Sequence, residues 1–239
     1  DKERKIKMTA LRPVSQTEKI LFPIVVTFVV GLIVPDALAL IGCNYYGRPG
    51  EAMKLIGVTG TNGKTTTTTL VGEFFRATGR GTHIVGNIGY PITADAGDMQ
   101  DSDLTVAEVS SYQCETISMF HPHVGAVLNI TEDHLNRHGT MAEYIRLKKR
   151  IFENQTAEDY AVLNMDDPEL MKMVPDLKAQ VAFFSRTQKV ENGAFVEDGK
   201  IVWQWKGARR VICDADQILI PGPHNLENAL AATATTCAL

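Results

Sequence analysis

The chain has 239 residues, 44% of them hydrophobic and 22% charged, with a formal net charge of −4. That composition excludes a disordered or low-complexity chain, and the slight acidity gives no electrostatic ground for a nucleic-acid partner, since Lys and Arg form no extended basic stripe. Four scattered cysteines (Cys43, Cys114, Cys213, Cys237) make no C-x-x-C pair, so neither a zinc site nor a disulfide framework is indicated and a reducing cytoplasm is the expected setting.

Residues 1–53 read differently from the rest. A basic, polar opening leads into the apolar run 20–34, closed by Pro35 and Asp36 and followed by Ala37, Leu38 and Ala39, the outline of an export signal. The run falls short of the ~20 residues of a membrane span. A buried apolar segment or a truncated terminus therefore competes with an export signal, and no membrane partner is expected. Fifty-three residues are also too few for an independent nucleotide-binding domain, and they hold no Gly-rich strand–helix junction.

From Lys54 onward, β-like runs alternate with helical spacing. Residues 54–59 form a short apolar run before a Gly-rich loop, and Leu70, Phe74 and Phe75 give helix spacing over 67–78, ended by Gly79. The β-branched runs 82–85, 104–109 and 124–130 read as strands covered on both faces. Helices are expected over 112–119, 141–154 and 168–174, with further strands at 160–163 and 181–184. This rhythm predicts an α/β fold with a doubly wound, mostly parallel sheet. A hairpin over 194–203, turning at Asp198 and Gly199, adds a small antiparallel region, and a last helix is expected over 225–239.

The junction GVTGTNGKT at 57–65 spaces Gly57, Gly60 and Gly63 three apart and ends on Lys64 and Thr65. A glycine turn between strand and helix points backbone N–H groups into one concavity at a helix N-terminus, where a phosphate is favoured. Lys64 adds a mobile charge for outer phosphates and Thr65 a hydroxyl for Mg²⁺. The strict pattern G-x-x-x-x-G-K-[ST] fails, because Val58 stands where it needs glycine. A plain glycine turn with a solvated lysine is the bland alternative. The threonines after Thr65 read as partly structural, their hydroxyls bonding back to carbonyls of the preceding turn.

The stretch TGTNGKT at 59–65 resembles the ATP loop of the Mur ligases and folylpolyglutamate synthases, ATP-dependent amide-forming ligases whose loop has this variant spacing. Five further stretches are similar to that family's central-domain motifs and come in its order: GNIG at 86–89, EVSSYQ at 108–113, NITEDH at 129–134, Tyr144 and Lys148 followed by RIFEN at 150–154, and PGPHN at 221–225. The resemblance covers 54–239 and implies a central ATP-binding ligase domain. The family's N-terminal UDP-sugar domain and C-terminal domain are not recognisable, so the chain is expected to be a fragment with most of the ATP site and little ligation of its own. GNIG and the SSYQ after the glutamate favour the branch that adds D-glutamate to UDP-MurNAc-L-alanine through an acyl phosphate in peptidoglycan synthesis. A diamino-acid-adding or folylpolyglutamate synthase-like ligase is the alternative, and HGTM at 138–141 is shared with the former. UDP-MurNAc-L-alanine and D-glutamate are the implied partners, ATP and Mg²⁺ the implied cofactors, and a cytoplasmic monomer the implied state.

The resemblance also assigns roles. Gly60, Thr61, Asn62, Gly63, Lys64, Thr65 and Thr66 would bind ATP, with Asn225 reading adenine or simply capping a helix. The implied catalytic set is Lys64, Asn87, Glu108, His134 and Lys148. Glu108 ends a predicted strand, where open α/β sheets place ligands, and would hold Mg²⁺ with Thr65; its alternative is an acid at a helix N-terminus beside Ser110, itself a plausible cap. His134 would serve a second Mg²⁺, an unusual choice for an ion that prefers oxygen; alone it would read as a surface residue. Lys148 shares a helical face with Tyr144 and matches a lysine that is carbamylated in this family, which requires a neutral amine. Its oxygens would then help hold the second ion; a solvated basic face with Lys149 and Arg150 is the alternative. Asn87 would sit near the acyl phosphate. His121, His123 and His138 read as surface or packing residues, and NMDD at 164–167 as a cap or a nucleotide contact. A non-ligase P-loop kinase or NTPase and a tethered binding module are the competing functions.

Overall fold

The computed structural model describes residues 53–95 and 97–239; the apolar run at 20–34 lies outside the described residues. The described residues lie in one compact unit. Its strands are β1 (Lys54–Thr59), β2 (Thr82–Gly86), β3 (Leu104–Glu108), β4 (Val124–Val127), β5 (Tyr160–Asn164), β6 (Gln180–Ser185), β7 (Gly193–Glu197), β8 (Lys200–Trp205) and β9 (Ala208–Asp214). They form one sheet in the order β2-β3-β1-β4-β5-β6-β7-β8-β9. Pairing is parallel from β2 to β7 and antiparallel through β8 and β9.

The helices are α1 (Lys64–Arg76), α2 (Ile92–Asp95), α3 (Ser111–Cys114), α4 (Leu135–His138), α5 (Met141–Lys149), α6 (Pro168–Met171) and α7 (Pro223–Cys237). Alternation along the strands sends side chains to two cores. On one face Ile56, Val58, Val106, Ala126 and Val162 meet Val71 and Phe75 of α1 and Ala229 and Leu230 of α7. On the other, Val127, Ala161 and Leu163 meet Tyr144 of α5 with Ile151 and Phe152 after it. The buried alanines of α7 favour helix and leave little bulk between it and its neighbours. Both faces of the parallel strands are thereby covered, as the near-continuous apolar runs require.

The doubly wound reading holds, and the hairpin turns at Asp198 and Gly199, both in the left-handed region as a two-residue hairpin loop demands. Other details differ: the strand expected at 124–130 ends at Val127, the helix expected at 168–174 ends at Met171, and the last helix starts at Pro223. α1 starts at Lys64, three residues earlier than expected, and its buried Thr67 reaches across to Asn228 Oδ1 (3.5 Å) instead of bonding back. The expected helix at 112–119 stops at Cys114, because the Arg150 guanidinium takes the carbonyls of Cys114, Glu115 and Ile117 that further turns would need. The expected helix at 141–154 tightens to a 3₁₀ turn at Arg150–Phe152. β9 is unforeseen: this exposed edge strand opens on Ala208, Arg209 and Arg210 and shows no buried face for a sequence to reveal.

Candidate functional site

After β1 the chain builds β2 and β3 on one side of it and then crosses to place β4 on the other. β1 is thus the topological switch, and ligands of open α/β sheets bind beyond the carboxyl ends of such strands. Val58 pairs with Glu108 and Thr59 with Val127, so the loops leaving β1, β3 and β4 emerge side by side.

The loop from β1 to α1 depends on two glycines. Gly60 (φ +151°) packs so closely that a Cβ would lie 2.9 Å from Leu128 Cβ, and at Gly63 (φ +81°) a Cβ would lie 2.2 Å from Asn228 Oδ1. Gly63 is the N-cap of α1 and supplies no side-chain cap. The first turn of α1 therefore keeps its orphan N–H groups for a ligand. Lys64 is folded back, its Nζ donating to Gly60 O (2.9 Å) and Thr61 O (2.8 Å). Burial holds its pKa below the ordinary lysine value against the opposing charges of Glu108 and Asp133.

Glu108 closes β3 and is 2% exposed. Its Oε2 accepts from the Thr65 hydroxyl (2.8 Å) and its Oε1 from Asn87 Nδ2 (2.7 Å). Among the described residues no cationic side chain hydrogen-bonds it. A buried carboxylate with only neutral donors is short of compensating charge. The helix-acid alternative is corrected: Ser110 caps α3 in a capping box with Gln113, leaving Glu108 to the site.

His134 has left-handed backbone (φ +53°), strained for a non-glycine residue, and is the N-cap of α4. Its ring lies between Tyr112 OH (3.3 Å from Nδ1) and Asp133 (3.3 Å from Nε2). Lys148 is 1% exposed, not part of a solvated basic face. Its Nζ donates to Gly60 O (2.8 Å) and sits 4.8 Å from the Tyr144 ring centroid. Burial, with the neighbouring Lys64 charge, lowers its pKa to about 8. Lys64 and Lys148 thus share one carbonyl oxygen beneath the loop.

The ligands expected at the first ion and those expected at the second differ in their contacts. Thr65 and Glu108 touch, whereas His134 and Lys148 each have other partners, since an unmodified ammonium seeks a carbonyl rather than an ion. Among the described residues no group of three or more His, Cys, Asp or Glu side chains is arranged to hold a metal ion by itself. Asn225 is not an N-cap: Gly222 (φ +105°) holds that position and Asn225 Nδ2 donates to Pro221 O (2.8 Å). Thr61 and Asn62 direct their backbone N–H groups to Asn129 rather than into the loop's concavity. His138 is a packing residue, bonded to Ser111 Oγ (3.0 Å).

Sequence reasoning passed over Tyr112, Asn129, Asp133 and Asn228. The first three stand inside motifs it had singled out. Asn228 carries no local signal, and the approach of α7 to Gly63 and Thr67 reveals it.

A model of the Mur ligase middle domain matches residues 58–236. The chain belongs to the Mur ligase family. It is 53% identical over 185 residues to the UDP-N-acetylmuramoylalanine–D-glutamate ligase of Alkaliphilus oremlandii (strain OhILAs), covering 77% of this chain and 41% of that protein. The ligase of the same name from Clostridioides difficile (strain 630) is 48% identical over 179 residues, 75% of this chain and 40% of that protein. The chain thus spans about 41% of the length of the curated relatives it matches. Among solved structures of other Mur ligases, a UDP-N-acetylmuramoylalanyl-D-glutamyl-2,6-diaminopimelate–D-alanyl-D-alanyl ligase from Acinetobacter baumannii aligns with a TM-score of 0.61 at 20% identity, over 81% of this chain and 44% of that one. A MurF ligase from Thermotoga maritima, solved in complex with ADP, aligns at 0.57 and 20% identity, over 78% and 47%. At such identities the likeness shows that the Mur ligase fold is shared. A second model, the beta subunit of Na⁺-transporting oxaloacetate decarboxylase, matches residues 1–74, most of which lie outside the described residues. Among the described residues no helix is long and apolar enough to cross a membrane.

Proposed function

We propose that this chain supplies the ATP-binding part of a ligase that joins D-glutamate to UDP-MurNAc-L-alanine, with release of ADP and phosphate. The carrying observation is the seat of Glu108 between Thr65 and Asn87 beside the phosphate loop. The choice of substrates rests on the names of relatives about half identical to this chain.

The residues present fit ATP with Mg²⁺. Glycine conformations and close approaches shape a cradle that a Cβ would fill, and Glu108 is a buried acid whose hydrogen-bond donors are both neutral. Mg²⁺ commonly takes one or two protein oxygens beside substrate phosphates, and Thr65 and Glu108 would supply them; when bound it neutralises phosphate charge. Lys64 would exchange the carbonyls of Gly60 and Thr61 for the outer phosphates. A carboxylate is a poor electrophile, so it is phosphorylated before the amine attacks. Asn87, oriented by Glu108, offers a neutral donor to the oxygens that crowd there. Lys148, with its pKa near 8, has a fraction of neutral amine at neutral pH, the form that carbamylation needs, and the modified side chain with His134 would hold a second Mg²⁺. Asn225, whose Oδ1 accepts from Asn228 Nδ2 (3.3 Å), would read adenine. We place the protein in the cytoplasm as a monomer.

The test is ligation by the gene product that carries this chain, with ATP, Mg²⁺ and UDP-MurNAc-L-alanine. D-glutamate-dependent phosphate release is expected. Turnover only with a diamino acid on UDP-MurNAc-L-alanyl-D-glutamate would overturn the substrate choice, and ATP hydrolysis indifferent to every acceptor would overturn the ligase.

A further inference from the structure

Asn129 takes no part in the chemistry above, yet it touches the phosphate loop at more points than any residue of the catalytic set. β4 runs parallel to β1, and the pairing continues past the ends of both strands: Leu128 N–H donates to Thr59 O (3.0 Å) and Thr61 N–H to Asn129 O (3.0 Å). From there the side chain replaces the backbone. Asn129 Oδ1 accepts from Asn62 N–H (2.8 Å), while its Nδ2 donates to Asn62 O (3.1 Å). One carboxamide thereby satisfies both backbone polar groups of a single loop residue, as a neighbouring strand does. Only one orientation of the amide serves both partners.

The bracket is anchored on both sides. Thr131 N–H donates to Thr61 Oγ1 (3.0 Å), and that hydroxyl lies 3.2 Å from Tyr144 OH. Behind it, Ile130 N–H donates to Asp167 Oδ2 (2.7 Å), and Asp167 Oδ1 caps α6 through Glu169 N–H (2.9 Å). The NMDD stretch after β5 therefore steadies the stretch after β4, which steadies the loop after β1.

This arrangement sorts the loop's donors. The N–H groups of Thr61 and Asn62 are occupied, and Thr67 N–H closes the first helical bond on Gly63 O. Those of Gly63, Lys64, Thr65 and Thr66 remain for an anion. Asn62 is exposed and stands between glycines at Gly60 and Gly63 whose φ values are positive, so without a clamp its peptide planes would turn freely and the donors would lose their shared aim. Donors aimed in advance bind more tightly because no ordering remains to be done.

We propose that Asn129 is a positioning residue for the phosphate loop: its carboxamide fixes Asn62 and leaves the N–H groups of Gly63 to Thr66 to hold the nucleotide's phosphates. The proposal rests on the reading of this loop as a nucleotide site. The test compares the 239-residue chain with Asn129→Ala and with Asn129→Asp, an isostere that keeps the acceptor for Asn62 N–H but sets an oxygen against Asn62 O. Three quantities are measured: amide exchange at Asn62, melting temperature, and calorimetric affinity for Mg-ATP, with Lys64→Ala as a control.

In Asn129→Ala, loss of both hydrogen bonds speeds exchange at Asn62 and weakens Mg-ATP by about tenfold or more; Asn129→Asp, which loses only the bond to Asn62 O, binds still more weakly because its charge faces phosphate. Melting temperatures stay close to that of the unsubstituted chain, and Lys64→Ala weakens Mg-ATP with Asn62 still protected. If the unsubstituted chain binds Mg-ATP and both Asn129 variants bind it equally well, or if Asn62 exchange is unmoved, the positioning role is overturned. If the unsubstituted chain takes up no Mg-ATP, the nucleotide reading itself fails. Should Asn129→Ala not fold, Asn129→Ser, a neutral side chain too short to bridge both groups of Asn62, takes its place in every comparison.

Discussion

Glu108 on β3 and Glu197 on β7 are both acids withdrawn from solvent on the same sheet, and they are treated in opposite ways. Glu197, with its side chain 11% exposed, is paired by two cations that reach in from the surface, Lys189 and Arg209. Glu108 is more deeply buried and receives only a hydroxyl and an amide. At the hairpin end the chain neutralises its own charge; at the switch point it leaves a charge for something else to neutralise. A buried carboxylate that no cationic side chain hydrogen-bonds costs stability, and the proposed metal site would give that cost a use.

The same contrast runs through glycines and lysines at the two ends, and substitutions sharpen it. Gly63 and Gly199 have similar left-handed backbone, φ +81° and +73°, but a Cβ at Gly63 meets Asn228 whereas one at Gly199 meets nothing within 4 Å. Gly63→Ala is expected to cost about 2–5 kcal/mol, from backbone strain of ~1–2 and overpacking of ~1–3. Gly199→Ala is expected to cost only the backbone part. Chemical denaturation of both variants measures the difference, and equal costs would erase the distinction between a built site and an ordinary turn.

Lys148 lies buried under the loop while Lys200 makes an exposed pair with Asp214. Lys148→Met removes a poorly compensated buried ammonium and is expected to raise stability at pH 7 by roughly 1–3 kcal/mol. The sign follows from linkage. The folded pKa, about 8, lies below the ordinary lysine value of 10.5, so the unfolded chain binds more protons between those values. The penalty is full below about pH 8 and fades as pH rises to 10.5, and the advantage of methionine fades with it. Lys200→Met is expected to leave stability nearly unchanged, since an exposed pair is screened by solvent, as thermal melts across that pH range would show.

A modest effect is expected at the outer edge of the parallel strands, where His83 on β2 bridges Asp95 and Asp103 (2.8 and 3.0 Å). Burial alone would lower its pKa, but the hydrogen bonds to Asp103 and Asp95 outweigh it and the net shift is upward. The bridge therefore stabilises fully below the unfolded histidine value of 6.5 and is lost as pH rises through the raised folded value. On the acid side it lasts until Asp103 protonates, a step its hydrogen bond to His83 pushes lower. His83→Gln should cost under about 1 kcal/mol near pH 6 and less at pH 9. Melts in which the cost grew with pH would contradict this.

Much of this architecture was legible in the sequence because it follows from local rules. Apolar β-branched runs gave the parallel strands, glycine spacing gave the loop, and an acid at a strand's carboxyl end gave Glu108. What escaped depends on distant partners. α3 ends early because Arg150, 36 residues beyond Cys114, takes its carbonyls. The Asn62 bracket comes from Asn129, 67 residues away. Asn228 meets Thr67 across 161 residues. β9 escaped for the opposite reason, since an exposed edge strand carries no buried alternation.

The central claim is that Glu108 and Thr65 seat a divalent cation on a nucleotide held by the loop. Calorimetric titration of ATP with and without Mg²⁺ tests it most directly, on the unsubstituted chain, Glu108→Gln and Glu197→Gln. Mg²⁺ is expected to tighten ATP about tenfold or more on the unsubstituted chain and on Glu197→Gln, charge-assisted contacts being worth that much, and to have little effect on Glu108→Gln. ATP affinity that ignores Mg²⁺, or a Mg²⁺ effect that survives Glu108→Gln undiminished, would contradict it.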